Sequence, residues 1–337
     1  MNKTILLGHG SGGLMTGDLI RDLFLRYFNN STLNKLSDSA LLQIDGAGLA
    51  FTTDSFVVDP LFFPGGDIGK LAVCGTVNDL CVSGAKPLFL SAGFILEEGF
   101  SMSELDRITA SMAHVAELAG VKIVTGDTKV VKRGQCDKIF INTAGIGSIG
   151  KKHSMISGGS LIQPGDQVLV NGFLGDHEMA ILSARENLDF EEAVLSDVAP
   201  LNRMIGYMLE TGIEIRFMRD ITRGGIATVL AETASGRKFG ISIEEERIPV
   251  REQVNGLCEI YGFNPLYLAN EGKVLMIISR DNAPAAIEIM KQFDYGRDAQ
   301  IIGTVSSSNP GRVIMQSLTG GTRIIDKLAG EQLPRIC

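Results

Sequence analysis

Tryptophan is absent from the 337 residues, and only five tyrosines occur. Broad aromatic stacking is therefore not the theme of this chain. Basic residues are the minority, 31 against 39 acidic ones, for a net charge of −8. A non-specific nucleic-acid binder needs a basic face, so no nucleic-acid partner is expected. Long apolar runs are missing: the longest nearly uncharged stretch, residues 87–96, falls far short of the ~20 residues that cross a bilayer. No membrane association is expected. The apolar run at 5–7 is too short for a secretory leader. Cysteine is scarce, at Cys74, Cys81, Cys136, Cys258 and Cys337, with no C-x-x-C. That spacing excludes a zinc site, and the count excludes a disulfide scaffold. The expectation is a soluble protein of a reducing cytoplasm. Cys337 is the last residue, whereas a prenylation box puts its cysteine four from the end.

Glycine, by contrast, is abundant, at 40 residues, well above the ordinary share of about 7%. Tight turns and close backbone approaches follow from it. The hydrophobic fraction of 45% is enough for a packed core. Hydrophobic periodicity predicts strands at 3–7, 40–44, 49–53, 56–58, 88–95, 122–125, 130–132 and 138–147. It predicts helices at 14–28, 68–82 and 101–119, the last opened by Ser101-x-x-Glu104 and closed by Gly120. The turn Arg133-Gly134-Gln135 is expected to pair 130–132 with 138–147 as a hairpin. The Gly-, Ser- and Pro-rich stretch 151–166 reads as a linker. Beyond it, strands are predicted at 167–171, 273–279, 300–305 and 312–316, and helices at 177–185, 204–211, 226–234 and 283–293. The fold class is α/β (α+β) in two domains, residues 1–155 and 156–325, followed by a flexible tail, 326–337. From residue 330 onward the tail can extend roughly 23–25 Å.

Two glycine patterns invite a nucleotide reading. The segment Gly8-His9-Gly10-Ser11-Gly12-Gly13 fits G-x-G-x-x-G, but no strand ending in an acid follows about 20 residues on, as a dinucleotide fold requires. It reads as a loop lying against phosphates or a partner, or as a plain tight turn. Gly65-Gly66-Asp67-Ile68-Gly69-Lys70 lacks both the first glycine and the Ser/Thr of a P-loop.

The acids say more. Asp54 and Asp127 end strands, Asp220 precedes a helix, and Asp38 lies just ahead of a strand. Singly, each reads as a turn or cap. Asp79 sits inside an apolar helix, where a carboxylate is costly unless something pairs with it. Converging carboxylates would serve hard cations such as Mg²⁺. Gly224 and Gly225 at a helix start, with Arg223 beside them, make a plausible phosphate seat. Lys129 reads as a surface charge or a site cation, and Glu271 as a turn acid. Asp176-His177-Glu178 reads as a helix N-cap cluster. Cys74, Cys81 and Cys258 read as core residues and Cys136 as a loop residue.

Taken in order, these pieces resemble a known family. His9-Gly10-Ser11-Gly12-Gly13, Thr52-Thr53-Asp54-Ser55, Asp59-Pro60-Leu61-Phe62-Phe63-Pro64-Gly65-Gly66, Gly126-Asp127-Thr128-Lys129-Val130-Val131, Asn270-Glu271-Gly272-Lys273 and terminal Pro334-Arg335-Ile336-Cys337 closely resemble hydrogenase maturation factors of the HypE type. The wider superfamily holds aminoimidazole ribonucleotide synthetase, thiamine-phosphate kinase and selenophosphate synthetase, which lack this tail. The resemblance implies that superfamily's two-domain fold, dimerising through the N-terminal domains as a homodimer. It implies ATP and Mg²⁺ in a cleft between domains or subunits. Asp38, Asp54, Asp79, Asp127 and Asp220 match metal and phosphate positions, and Gly10, Gly12, Gly13, Arg223, Gly224 and Gly225 would border the nucleotide. A HypF-type carbamoyltransferase would place a carbamoyl group on Cys337. An ATP-dependent step would dehydrate it to a thiocyanate, and the cyano group would pass to iron on a HypC–HypD scaffold for [NiFe]-hydrogenase.

The chemistry needs phosphoryl transfer to a poor leaving oxygen, then loss of protons from nitrogen. Positive charge from Lys129, Arg223 and a helix N-terminus would serve the first step. Glu271 is the candidate base for the second. The sequence leaves two rivals standing: a small-molecule ATP-dependent kinase or synthetase of the same superfamily, and a non-catalytic scaffold that presents a cysteine.

Overall fold

An apolar helix with polar residues inside it organises the molecule. Asp67 caps this helix, α3 (Ile68–Val82), by accepting from the Gly69 and Lys70 amides at 2.7 and 3.1 Å. Twelve of its fifteen residues are buried. A helix apolar all round must be covered all round. Sheet packs on one side of it, and the C-terminal half of the chain on the other.

The structure is a computed structural model that describes residues 5–10, 12–188, 193–329 and 333–337. The chain enters through two short helices, α1 (Leu14–Leu19) and α2 (Leu25–Phe28), joined by a π-turn, and none of this stretch is buried. The first half then runs β1 (Ala40–Ile44), β2 (Ala47–Phe56), β3 (Phe62–Phe63), β4 (Gly66–Asp67), α3, β5 (Lys86–Glu97), α4 (Met102–Ala119), β6 (Lys122–Val131) and β7 (Ile139–Ser148). The second half runs β8 (Gln167–Val170), α5 (Asp176–Glu186), α6 (Asn202–Glu210), β9 (Ile215–Asp220), α7 (Gly225–Ala234), β10 (Gly240–Glu244), α8 (Glu252–Tyr261), β11 (Val274–Ile278), α9 (Ala283–Met290), β12 (Gln300–Ser306), β13 (Val313–Gln316) and β14 (Thr322–Ile325).

Among the described residues the strands form a five-stranded sheet, β1-β2-β7-β5-β6, and a seven-stranded sheet, β14-β13-β10-β12-β8-β11-β9, besides the β3–β4 pair. In the first sheet only β5 and β6 are parallel. Its β7 alternates strictly, with Ile139, Ile141 and Thr143 buried on the helical side. The opposite face carries Phe51, Ile146 and Phe89 in direct register across three strands, each about two-fifths exposed.

Three expectations change. Residues 5–6 form no strand, and Leu7 already opens a 3₁₀ turn; residues 3–4 lie outside the described set. No hairpin joins 130–132 to 138–147, because β5 lies between β6 and β7. The Glu97 side chain takes the Gly134 and Lys138 amides instead, which closes that loop onto β5. Finally, Asp176-His177-Glu178 is not an N-cap cluster. Gly175 caps α5 in a left-handed turn, and the three residues are buried.

Candidate active site

The acids that looked unrelated in sequence meet around a cavity of about 200 Å³. Strand β2 brings Asp54, helix α3 Asp79, strand β9 Arg219 and Asp220, and the loop before β1 Asp38. Glu271, Arg223 and the terminal Cys337 complete the wall. Thr52 Oγ1 donates to Asp79 Oδ2 at 2.7 Å, and Thr76 Oγ1 to Asp54 Oδ2 at 3.1 Å. Arg219 bridges Asp38 and Glu232, each at 3.0 Å. Among the described residues no basic side chain ion-pairs with Asp54, Asp79, Asp220 or Glu271.

The electrostatics follow from that shortage of cations. Burial and then the neighbouring Asp54 and Asp220 push the Asp79 carboxyl well above its usual range. Burial and Asp38 raise Asp220 to about 7. Burial, then Asp197 and Asp220, hold Glu271 well above normal. Asp54 and Asp38 rise for the same first reason, desolvation. The donors are all carboxyl oxygens in excess of positive charge, a set suited to a hard divalent cation. Among the described residues no three acidic, histidine or cysteine groups close into a finished metal cage. Magnesium does not require one, because it keeps waters and shares one or two carboxylates with substrate phosphates.

The glycine-rich entry borders this region. The Gly10 carbonyl accepts from Arg223 Nη1 at 2.6 Å, Gly12 lines the cavity, and Gly13 caps α1. Gly224 caps α7 in a left-handed conformation and Gly225 opens it, its amide donating to the Thr222 carbonyl at 3.1 Å. Asp127 and Lys129 are not part of it. They pair with each other at 2.8 Å on the edge strand β6, each about 70% exposed, and the ion pair holds Asp127 below its normal pKa.

The tail is docked. The Val57 amide donates to the Cys337 carbonyl at 3.0 Å and Asp59 N to the Arg335 carbonyl at 3.2 Å, as an added strand would. Arg335 Nε donates to the Val57 carbonyl at 3.0 Å, and its guanidinium pairs with Asp137. Ile336 is buried in the first-half core. Burial pushes the Cys337 thiol up to about 12, with Arg223 opposing. A second cavity of about 190 Å³, bordered by Arg223, Gly224 and Leu333, meets the first at Cys337. Cys74, Cys81 and Cys258 are buried and Cys136 partly exposed.

Several residues essential to this geometry gave no sequence signal. Asp197 Oδ1 accepts the Glu271 amide at 3.0 Å, and its Oδ2 takes Lys273 Nζ at 2.9 Å. Asn78 donates to the Glu271 carbonyl at 3.2 Å, across from α3. Two motif glycines make room for the Asp197 segment. A Cβ on Gly272 would lie 1.9 Å from the Asp197 carbonyl oxygen, and one on Gly65 would lie 2.7 Å from the Ser196 nitrogen, at a φ of +91°.

Residues 36–149 match the N-terminal domain of AIR synthase related proteins, and residues 163–316 match the C-terminal domain. The chain is 48% identical to the carbamoyl dehydratase HypE of Rhodobacter capsulatus, over 100% of this chain and 99% of that one. A crystal structure of a HypE–HypF complex superposes with a TM-score of 0.86 at 51% identity, covering 92% of this chain and 99% of that one. The crystal structure of hydrogenase maturation protein HypE in complex with ATP gives 0.82 at 49% identity, covering 99% and 100%.

Proposed function

The chain belongs to the HypE family of carbamoyl dehydratases, built from the two AIR synthase related domains, and on that premise we propose that it uses ATP to convert an S-carboxamide on Cys337 into an S-thiocyanate. One observation carries the reading: Cys337 lines the same cavity as Asp54, Asp79, Asp220 and Glu271.

The chain's own groups fit the two steps. Asp54, Asp79 and Asp220 would hold magnesium, which supplies charge neutralisation for the phosphates. Arg223 keeps its guanidinium charged beside Cys337, placed to stabilise charge on the γ-phosphoryl group as it passes to the carboxamide oxygen. That transfer makes an imidate phosphate. Loss of phosphate breaks the C–O bond, and removal of the nitrogen protons closes C≡N. Glu271 is suited to accept a proton. Once ionised, a carboxyl raised by burial is a stronger base than an ordinary one. Sulfur suits the carrier role, as a good nucleophile before the step and a good leaving group after it.

The carbamoyl group would come from a HypF-type carbamoyltransferase, and the cyano group would go to iron on a HypC–HypD scaffold. Modification and hand-over both need the tail undocked, because docking holds the thiol protonated. The work would take place in the cytoplasm, and among the described residues no helix is long and apolar enough to cross a membrane. A homodimer through the first sheet is supported by the uncovered Phe51, Ile146 and Phe89. In such a dimer Asp127 and Lys129, away from their own chain's cavity, would serve the partner's.

Mass spectrometry of the C-terminal peptide tests the reading. A carbamoylated Cys337 given ATP and magnesium should lose one water, and Asp79→Ala should leave the carboxamide intact. An adduct that keeps its oxygen in the unaltered protein would overturn it. So would ATP turnover on a free substrate that survives removal of residues 335–337.

A further inference from the structure

The terminal segment is gripped from behind the cavity by a group that the reaction above does not use. His177 is fully buried in the first turn of α5. Its Nε2 lies 2.7 Å from the Ile336 carbonyl oxygen, and its Nδ1 2.7 Å from Ser196 Oγ. A carbonyl can only accept, so Nε2 carries the hydrogen. The neutral ring then accepts the Ser196 hydroxyl at Nδ1. Phe63 meets the ring edge-on at 5.5 Å and fixes its plane. Ser196 is itself held, with its amide donating to the Pro64 carbonyl at 2.8 Å and its hydroxyl oxygen accepting from Val198 N at 3.2 Å.

The next residue is Asp197, which holds the Glu271 amide. One stretch of three residues therefore sets two positions. Through His177 it sets the carbonyl one peptide before Cys337, and through Asp197 it sets Glu271. Among the described residues, the other polar contacts of 333–337 are strand-like bonds to residues 57–59, the Arg335–Asp137 pair and the Arg185 guanidinium on the Arg335 carbonyl. An added strand can slip along its neighbour. A buried side chain that reads a single carbonyl, beside an apolar seat for Ile336, stops the slip.

We propose that His177 is a positioning residue for the dehydration: a latch that fixes the register of the docked tail so that the group on Cys337 meets Glu271. The catalytic half of this statement rests on the proposed function. The latch itself is read from the docked tail and can be tested without ATP.

The test is the rate at which iodoacetamide labels Cys337 in the full chain, followed on the C-terminal peptide. His177→Gln and His177→Asn separate the two ring nitrogens. A glutamine amide nitrogen reaches the Ile336 carbonyl. An asparagine reaches Ser196 but stops short of the tail. Losing a partner for a buried carbonyl should undock the tail about tenfold more often. His177→Asn should therefore label about tenfold faster than the unaltered protein, and His177→Gln should stay within about threefold. Equal rates for the two variants, or an unchanged rate in both, would overturn the latch. If His177→Asn does not fold, Ser196→Ala, which frees the ring to turn, should raise the labelling rate several-fold, and an unchanged rate overturns the proposal.

In carbamoylated protein at saturating ATP, the single-turnover dehydration of His177→Asn should slow about tenfold or more, because the docked carboxamide loses its register against Glu271, with the KM for ATP unchanged and His177→Gln near the parent rate. A change in KM without a change in rate would overturn the positioning role. Labelling that responds while no variant dehydrates would leave the latch standing and defeat the proposed function. Dehydration that proceeds while labelling ignores His177 would do the reverse.

Discussion

Asp197→Ala is the perturbation whose consequences the structure fixes most closely. The carboxylate is 2% exposed and its partner Lys273 9% exposed, at 2.9 Å. Burial works to raise the Asp197 pKa, yet the Lys273 ammonium outweighs it and holds the group ionised. Removing the carboxylate strands a buried ammonium and leaves the Glu271 and Gly272 amides without their acceptor. Breaking one side of a buried pair costs about 3–5 kcal/mol. For a chain of this size, at about 2.1 cal/mol/K of unfolding entropy per residue, that is a fall in melting temperature of roughly 4–7 °C. Glu271 also loses a positional anchor, and misplacement by an ångström can cost on the order of 100-fold in rate. Thermal unfolding by circular dichroism gives the first number, and single-turnover dehydration below the transition gives the second. Asp197→Asn combined with Lys273→Met removes the stranded charge and restores an acceptor for the Glu271 amide. That double variant should recover most of the stability. A single variant melting within about 2 °C of the parent, or a double variant no better than the single, would refute the reasoning.

Two further outcomes follow from charge and surface. Asp220 titrates at about 7 in the fold against 3.8 in the unfolded chain, because burial and then Asp38 disfavour its ionised form. Its contribution to stability is therefore fully present below pH 4 and is lost as pH rises through 7. Asp220→Asn should raise the melting temperature of the nucleotide-free protein by several degrees at pH 8, with a gain that shrinks towards pH 4, while weakening magnesium-dependent ATP binding. A gain independent of pH would contradict this. On the open sheet face, Phe89→Asp should convert a dimer to monomer in sedimentation equilibrium, and an unchanged mass would remove that face as the contact.

Much of the fold was legible because local chemistry agreed with packing. Helix α3 begins where Asp67 caps it, and α4 runs from the Ser101 hydroxyl, which accepts the Glu104 amide, to left-handed Gly120. Strands β9, β10 and β14 and helix α8 passed unnoticed. Strand β9 mixes charge into its apolar pattern because Arg219 and Asp220 face the cavity, and β14 is exposed along most of its length. The hairpin error arose from turn chemistry that was locally sound but blind to the intervening β5. In the site, the oddity of Asp79 was readable from one helix. The meeting of Asp38, Asp54, Asp79 and Asp220 was not, because spacing along the chain does not encode which sheet edges face each other. His177 and Asp197 were hidden for another reason. Each acts on a backbone group, His177 on the Ile336 carbonyl and Asp197 on the Glu271 amide, and a backbone partner leaves no trace in residue identity.

The central claim is that the oxygen leaves the carboxamide on Cys337 as phosphate. Carbamoylating Cys337 with a heavy-oxygen carboxamide, adding ATP and magnesium, and weighing the inorganic phosphate tests it directly. The account predicts that the label passes into phosphate, one atom for each thiocyanate formed. Unlabelled phosphate, with the heavy atom released as water, would contradict it.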